Sequence, residues 1–381
     1  MRPLFCFALS LALLLGGCAS TKVQDVTTNH REQLQDDDEA GLWAQMDRIE
    51  ALLKDAPERV SNPELQAYLD ELKCRIAPDL CADLRLYVMR SASFNAFMTP
   101  SGVMVVYTGL LLRCEDEAQL ASVIGHEIAH YRRRHTLENW RKAKNTSGWL
   151  TVIGMLGSGT AAGAVATIGA YVNLASFSRE QEREADVLGF QSIVKLDYAA
   201  QAPSAIWRNV LAEERLNPKP FLSGLFASHP APPERERYLQ EMALAPELER
   251  AKNRGIAPFA KAVLPHRQTW LDDELARRAY RQSEVLFARL AKLDYGQNQI
   301  AMAQAELYRK RDQVGDLDRA ISAYQRVTRS AEAPPLAFRD LGLALRKQGR
   351  LPAANAAFTE YLKRSPAASD AAMIRSYLNA N

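Results

Sequence analysis

The sequence predicts a mainly α-helical protein with one small β-sheet, closed at its C-terminal end by a helical solenoid. Three observations predict it. Apolar residues recur at helical spacing over most of the chain, as at Leu42, Met46, Ile49 and Leu53. One β-rich stretch interrupts them: Leu84–Val88, Phe94–Phe97 and Val103–Tyr107 read as short strands, the last two split by Pro100-Ser101-Gly102. Near the end, two helical units of 34 residues align. Phe338, Leu341, Gly342, Leu345, Gly349, Ala354, Phe358 and Pro366 mark one, and Leu307, Gly315, Ala320 and Tyr324 stand one period earlier.

Length and charge bound the rest. The 381 residues suffice for two or three domains. A net charge of +3 and the lack of a dense basic stripe argue against nucleic acid as a partner. Arg2 and the apolar run Leu4–Leu15 are too short for a permanent span and end in Leu15-Gly16-Gly17-Cys18-Ala19-Ser20. This resembles a bacterial lipobox, with residues 1–18 as signal peptide and Cys18 as the lipidated residue. Ala19, where no Asp stands, resembles sorting to the outer membrane, so the expected location is the periplasm, lipid-anchored, at the inner face of that membrane. In that oxidising space Cys74 and Cys81 could pair across a small loop, leaving Cys114 free and buried. Residues 19–40 have few core-forming side chains, end in Asp36-Asp37-Asp38-Glu39, and read as a polar tether in which His30 is a solvated histidine.

The central domain is expected over 41–250. Asn62 is a plausible N-cap with Pro63 in the first turn behind it. The sheet comes next, and a helix starting near Asp116 follows it. That helix carries His126-Glu127-Ile128-Ala129-His130, with an apolar stripe at Leu120, Val123, Ile124 and Ile128. Histidines four apart share one helix face and can aim at one Zn²⁺, with Glu127 beside it to take a proton from water. A third protein ligand is needed. Glu138 lies too far along the helix axis, and His135 reads as a supporting or surface group. The next carboxylates come in Ser178-Arg179-Glu180-Gln181-Glu182-Arg183-Glu184-Ala185-Asp186. Glu180/Glu184 and Glu182/Asp186 are both i, i+4 pairs, and the chemistry alone does not choose between them.

These motifs together resemble the zinc metallopeptidase family of the CAAX prenyl proteases and HtpX, in its soluble, periplasmic BepA-like branch. The resemblance covers roughly Leu84–Leu239 and implies an α+β domain of gluzincin type with one zinc ion per chain. It implies Glu182 as third ligand and Asp186 as the carboxylate that orients a ligating histidine. Asn95-Ala96-Phe97 resembles an edge strand that holds extended substrate, and Tyr107-Thr108-Gly109-Leu110 the turn after it. Ser228-His229-Pro230 with Arg235 resembles a family segment whose histidine either stabilises the oxyanion or sits on the zinc, with Arg235 anchoring the segment. Ser147–Ser178 carries no charge; in relatives it either crosses the membrane or packs beside the active site, and its glycines favour the second reading.

Gly255, Pro258 and Pro265 make 251–269 read as a linker, with His266 a linker histidine. The repeats over 270–381 follow the tetratricopeptide pattern and imply a protein partner on a concave face. The expected function is a zinc endopeptidase of the periplasm, acting on misfolded or misassembled envelope proteins. A binding or chaperone lipoprotein with latent proteolysis, or an integral-membrane peptidase, are the alternatives.

Overall fold

The computed structural model describes residues 25–27, 37–143, 176–217, 229 and 232–379. The signal segment with Cys18, His30 and most of the Ser147–Ser178 stretch lie outside the described residues.

The sheet is built from β1 (Arg85–Met89), β2 (Ala96–Met98) and β3 (Val103–Tyr107) in the order β1-β3-β2. β1 runs parallel to β3, with Arg85 opposite Val103; β2 runs antiparallel, with Ala96 opposite Val106. Side chains alternate between the two faces of a strand, and both faces here are buried. Tyr87, Met89, Phe97, Val103, Val105 and Tyr107 meet Leu42, Met46, Ile49 and Leu53 of α1 (Asp37–Lys54). Leu86, Val88, Ala96, Met98, Met104 and Val106 face the larger core, shared with α2 (Pro63–Ile76) and α4 (Glu117–Arg132). The backbone of residues 58–60 pairs with β1, so among the described residues β2 is the free edge.

Local signals set the helix starts. The Asn62 side chain accepts from the Leu65 N–H at 2.8 Å to begin α2, and Asp116 accepts from Gln119 N–H at 2.9 Å to begin α4. Between them lies α3 (Thr108–Arg113). Cys74 and Cys81 form a disulfide, and Cys114 is free and buried. After α4 come α5 (His135–Ala143), α6 (Arg179–Lys195), α7 (Ala202–Glu214) and α8 (Pro232–Met242).

Two expectations need correction. Residues 19–40 are not wholly a tether: Val26 is buried, its N–H donates to the Arg132 carbonyl at 2.8 Å, and residues 37–40 already belong to α1. The last carbonyls of α4 need donors, and this segment supplies one. Nor is 251–269 a linker. It is largely α9 (Ile256–Ala276), a continuous helix with Pro265 inside it. Pro258 falls in the first turn, where no N–H is required. The penalty of Pro265, about 3 kcal/mol, is offset by burial of Phe259, Val263, Trp270 and Leu271. His266 stacks on Trp270 there, with ring centroids 5.7 Å apart.

The solenoid comprises α11 (Gln297–Arg311) with α12 (Asp316–Thr328), α13 (Pro335–Lys347) with α14 (Leu351–Arg364), and α15 (Ala371–Asn379). The aligned residues Leu307, Ala320, Tyr324, Leu341, Ala354 and Phe358 are all buried. Gly342 is required by contact: a Cβ there would lie 2.4 Å from the Phe358 ring. The helix pair α9 and α10 (Tyr280–Leu290) does not join the repeat core. Its Trp270, Leu271, Leu286, Phe287 and Leu290 pack into the core of the preceding domain, and Ile300 and Leu307 of α11 reach that core too.

Glu50 fastens α1 to β1. It accepts from Arg85 Nη2 at 2.8 Å and from the Tyr87 hydroxyl at 2.7 Å. Burial opposes its charge, but these partners bring its pKa down to about 2 from 4.5. A depressed carboxyl pKa contributes stability above its unfolded value, lost as pH falls through the folded one. Glu50→Gln should therefore lower stability at pH 7 by about 1–2 kcal/mol. It should also flatten the decline in melting temperature between pH 4.5 and 2, read by thermal unfolding across that window.

Candidate metal centre

The site lies where α4 and α6 cross, and two glycines set how closely. A Cβ on Gly189 of α6 would lie 2.9 Å from the His126 nitrogen, and one on Gly125 of α4 would lie 3.4 Å from the Gly189 Cα. α6 begins with a capping box in which the Ser178 side chain accepts from Gln181 N–H and the Gln181 side chain accepts from Ser178 N–H. Glu182 therefore stands in the first turn of α6, facing the histidines. Gln181 also donates to Glu138 at 3.1 Å, so Glu138 supports the start of α6 and is no ligand.

Donor atoms of His126, His130, Glu182 and His229 all lie within 4.8 Å of one another, and all four residues are buried. His126 Nε2 is 3.0 Å from His130 Nε2 and 3.2 Å from His229 Nδ1. Glu182 Oε1 is 2.8 Å from His229 Nδ1 and 3.3 Å from His130 Nε2. Each ligand histidine has its other nitrogen engaged: His126 Nδ1 faces Asp186 Oδ1 at 2.9 Å, and His130 Nδ1 faces His135 Nδ1 at 3.0 Å. With both Nδ1–H groups donated outward, both Nε2 atoms present lone pairs to each other. Two lone pairs that close repel unless a cation lies between them, and a His, His, Glu donor set suits Zn²⁺. The residues present fit the ion.

The electrostatics agree. Burial drives His130 well below the usual histidine range, so it is a neutral imidazole, the form that ligates a metal. Burial works against the charge of Glu182, yet the Arg235 guanidinium and His229 hold its carboxyl well below the usual range. Asp186 is likewise lowered against burial, by Arg235 and His126. Arg235, from α8, donates to Asp186 through Nε at 2.7 Å and through Nη2 at 2.6 Å, contacts Glu182 through Nη1, and lies over the Trp207 ring. It grips the carboxylates themselves. Glu127 is 1% exposed, its Oε1 has no hydrogen-bond partner among the described residues, and burial raises its pKa. His229 Nε2 stands 3.6 Å from that oxygen. Burial alone would lower His229, but Glu182 and Glu127 raise it.

Of the acidic cluster, then, Glu182 enters the centre, Asp186 supports His126, and Glu180 is exposed. Asn95, Ala96 and Phe97 are buried at the β2 edge, and Asn95 Oδ1 has no hydrogen-bond partner among the described residues. Glu184, a member of the other candidate pair in the sequence, is not at the centre itself but meets His135 Nε2 at 3.1 Å. Helical spacing within α6 could not show it, because its partner lies beyond the end of α4.

Two crossing helices that present His, His and Glu, with a buried glutamate beside them, define a centre of metallopeptidase type. The comparisons with known proteins agree with that class. Residues 60–243 match the model of Peptidase family M48, and 309–369 and 339–381 match tetratricopeptide repeats. Residues 60–243 thus resemble an M48 domain, and such repeats follow it. It is 28% identical to a Vibrio cholerae protein of the beta-barrel assembly-enhancing protease type, over 55% of this chain and 47% of that one. It is 28% identical to the Beta-barrel assembly-enhancing protease of Escherichia coli K12, over 48% of this chain and 40% of that one. It is 32% identical to the Mitochondrial metalloendopeptidase OMA1 of Schizosaccharomyces pombe, over 45% of this chain and 50% of that one. The chain thus spans half or less of the length of these curated relatives.

The helix crossing yields a test. Gly189→Ala should introduce about 1–3 kcal/mol of overpacking, seen as a lower melting temperature of the zinc-free protein. It should also weaken zinc binding in chelator competition, because the added methyl meets the backbone of a ligand residue.

Proposed function

We propose that the chain is a zinc-dependent endopeptidase, exported to the bacterial periplasm and anchored by lipid at Cys18. Its substrates are misfolded or misassembled envelope proteins, and its repeats engage an envelope protein partner. The observation that carries the enzymatic reading is the convergence of His126, His130 and Glu182 beside the buried Glu127 carboxylate, whose Oε1 has no hydrogen-bond partner among the described residues. The Cys18 context supports the address. Similarity to the Beta-barrel assembly-enhancing protease of Escherichia coli supports the substrate class.

The chain's own groups perform the proton work. When bound, zinc supplies Lewis acidity toward a carbonyl oxygen and toward water. Glu127 Oε1, with its pKa raised by burial, takes a proton from the attacking water and passes it to the leaving amine. The free edge of β2 accepts an extended substrate by main-chain hydrogen bonds, with Asn95 at its start. His229, kept protonatable by two carboxylates, donates to the oxyanion when it leaves the donor cluster.

One observation favours a second reading. His229 is a fourth protein donor in the cluster, and four protein donors make a closed site, where catalysis needs an open one. A resting state blocked by His229 suits a repeat-based binding or chaperone role with latent proteolysis. For the integral-membrane alternative, no helix among the described residues is long and apolar enough to cross a membrane.

The discriminating experiment measures zinc content and cleavage of an unfolded test protein in wild type and Glu127→Gln. The expected outcome is retained zinc with cleavage reduced about 10²- to 10⁴-fold. Cleavage that survives the substitution, or survives strong chelation, sinks the peptidase reading.

A further inference from the structure

The two ligand histidines are supported in different ways. His126 Nδ1 meets a carboxylate directly: Asp186, buried and gripped by Arg235 and the Tyr238 hydroxyl. His130 Nδ1 meets no carboxylate. It meets His135 Nδ1 at 3.0 Å, and His135 Nε2 meets Glu184 Oε2 at 3.1 Å. Glu184 Oε1 in turn forms an ion pair with Arg133, its Nε 3.0 Å away, and Arg133 Nη1 donates to Asp25 Oδ2 at 2.8 Å.

The direction of this chain of contacts follows from its inner end. For His130 to offer Nε2 to a metal, Nδ1 must carry the proton and donate it to His135 Nδ1. His135 Nδ1 is then an acceptor, so its proton sits on Nε2 and is donated to the Glu184 carboxylate. A buried histidine and an outer carboxylate thus replace the usual single carboxylate behind a ligand histidine. The backbone makes this possible. Arg134 adopts φ +57°, ends α4, and turns His135 back toward His130. In an uninterrupted helix, residues five apart do not face each other.

The outer end is what distinguishes this arm. The Glu184 side chain is 44% exposed, against 4% for Asp186. Its cation, Arg133, is held from outside by Asp25, in the segment whose Val26 N–H donates to the Arg132 carbonyl. We propose that His135 and Glu184 are positioning residues for His130, and that the docked segment Asp25–Thr27 is the outermost member of the metal site, setting its affinity through Arg133. The proposal rests on the reading of His126, His130 and Glu182 as zinc ligands. It makes the N-terminal segment a strap whose docking tightens the site and whose release loosens it.

The test uses the purified full chain and reads zinc affinity by chelator competition, with the electronic spectrum of the cobalt-substituted protein as a second signal. His135→Phe keeps a ring but neither accepts nor donates; it should weaken zinc binding about 10- to 100-fold and alter the cobalt spectrum. His135→Gln offers an acceptor and a donor on one side chain and should restore most of the affinity. Glu184→Gln and Asp25→Ala should weaken binding by progressively smaller factors, with the zinc-free melting temperature unchanged for Asp25→Ala. Should His135→Phe misfold, Glu184→Gln and Asp25→Ala on the surface carry the same test. His126→Ala, which must lose zinc if the ligand reading holds, separates the two claims. Loss there with wild-type affinity in the His135, Glu184 and Asp25 variants overturns the strap alone. Failure of the wild type to bind zinc overturns both.

Discussion

Two imidazole nitrogens 3.0 Å apart, both required to present lone pairs, set the terms for the surrounding structure. Each ring must give its proton outward, so each needs an acceptor behind it, and each acceptor must be held. Buried carboxylates are costly unless paired, and the centre contains three: Glu127, Glu182 and Asp186. One guanidinium, Arg235, faces them. The carboxylates outnumber it, and a bound zinc cation would offset the excess negative charge. The ion is thus as much a structural requirement of this donor set as a chemical one, and metal binding and local order are coupled.

Holding that geometry requires two helices closer than side chains ordinarily allow. Gly125 and Gly189 remove the obstacle at the crossing, and the capping box at Ser178 fixes where α6 begins. The residues of α6 then divide by face. Glu182 and Asp186, one turn apart, look into the centre, and Glu184 looks toward the end of α4. The sheet enters the same scheme from the side. Both its faces are buried and residues 58–60 cover the β1 edge, so among the described residues the β2 edge is the one open to an extended chain, and it leads into the metal helix through β3 and α3.

How much of this was legible in the sequence depends on how local each signal is. His126, Glu127 and His130 lie within five residues, and helical spacing alone brings them together. The tetratricopeptide residues also show themselves, because their period repeats: Gly342 is small where Phe358 must pass. The choice of Glu182 over its neighbours was not readable from spacing and came from resemblance, because four carboxylates in seven residues offer two equivalent helical pairs. His135 sat one turn past the motif, and only the left-handed Arg134 makes it a neighbour of His130. The misread linker has a different cause. Proline and glycine at 255, 258 and 265 signal a break, but burial of one apolar stripe outweighs them, a tertiary effect no local signal carries.

That stripe decides how the two halves of the protein relate. α9 and α10 join the core of the domain that holds the metal site through Trp270, Leu271, Leu286 and Phe287, and the contact is reinforced by buried charge. Arg113, itself fully buried, donates to Glu213 of α7 at 2.8 Å and to Glu274 of α9 at 2.9 Å, while Arg289 of α10 reaches Glu213 at 3.0 Å. Breaking one member of such a buried set costs about 3–5 kcal/mol, so its arrangement is specific and resists sliding. α11 then serves both cores, with Leu307 in the first and Ala305 in the second. The repeats are accordingly held at a set orientation to the metal centre. Any change in that orientation has to come from within the repeats, because the helices that join the two halves are packed as core.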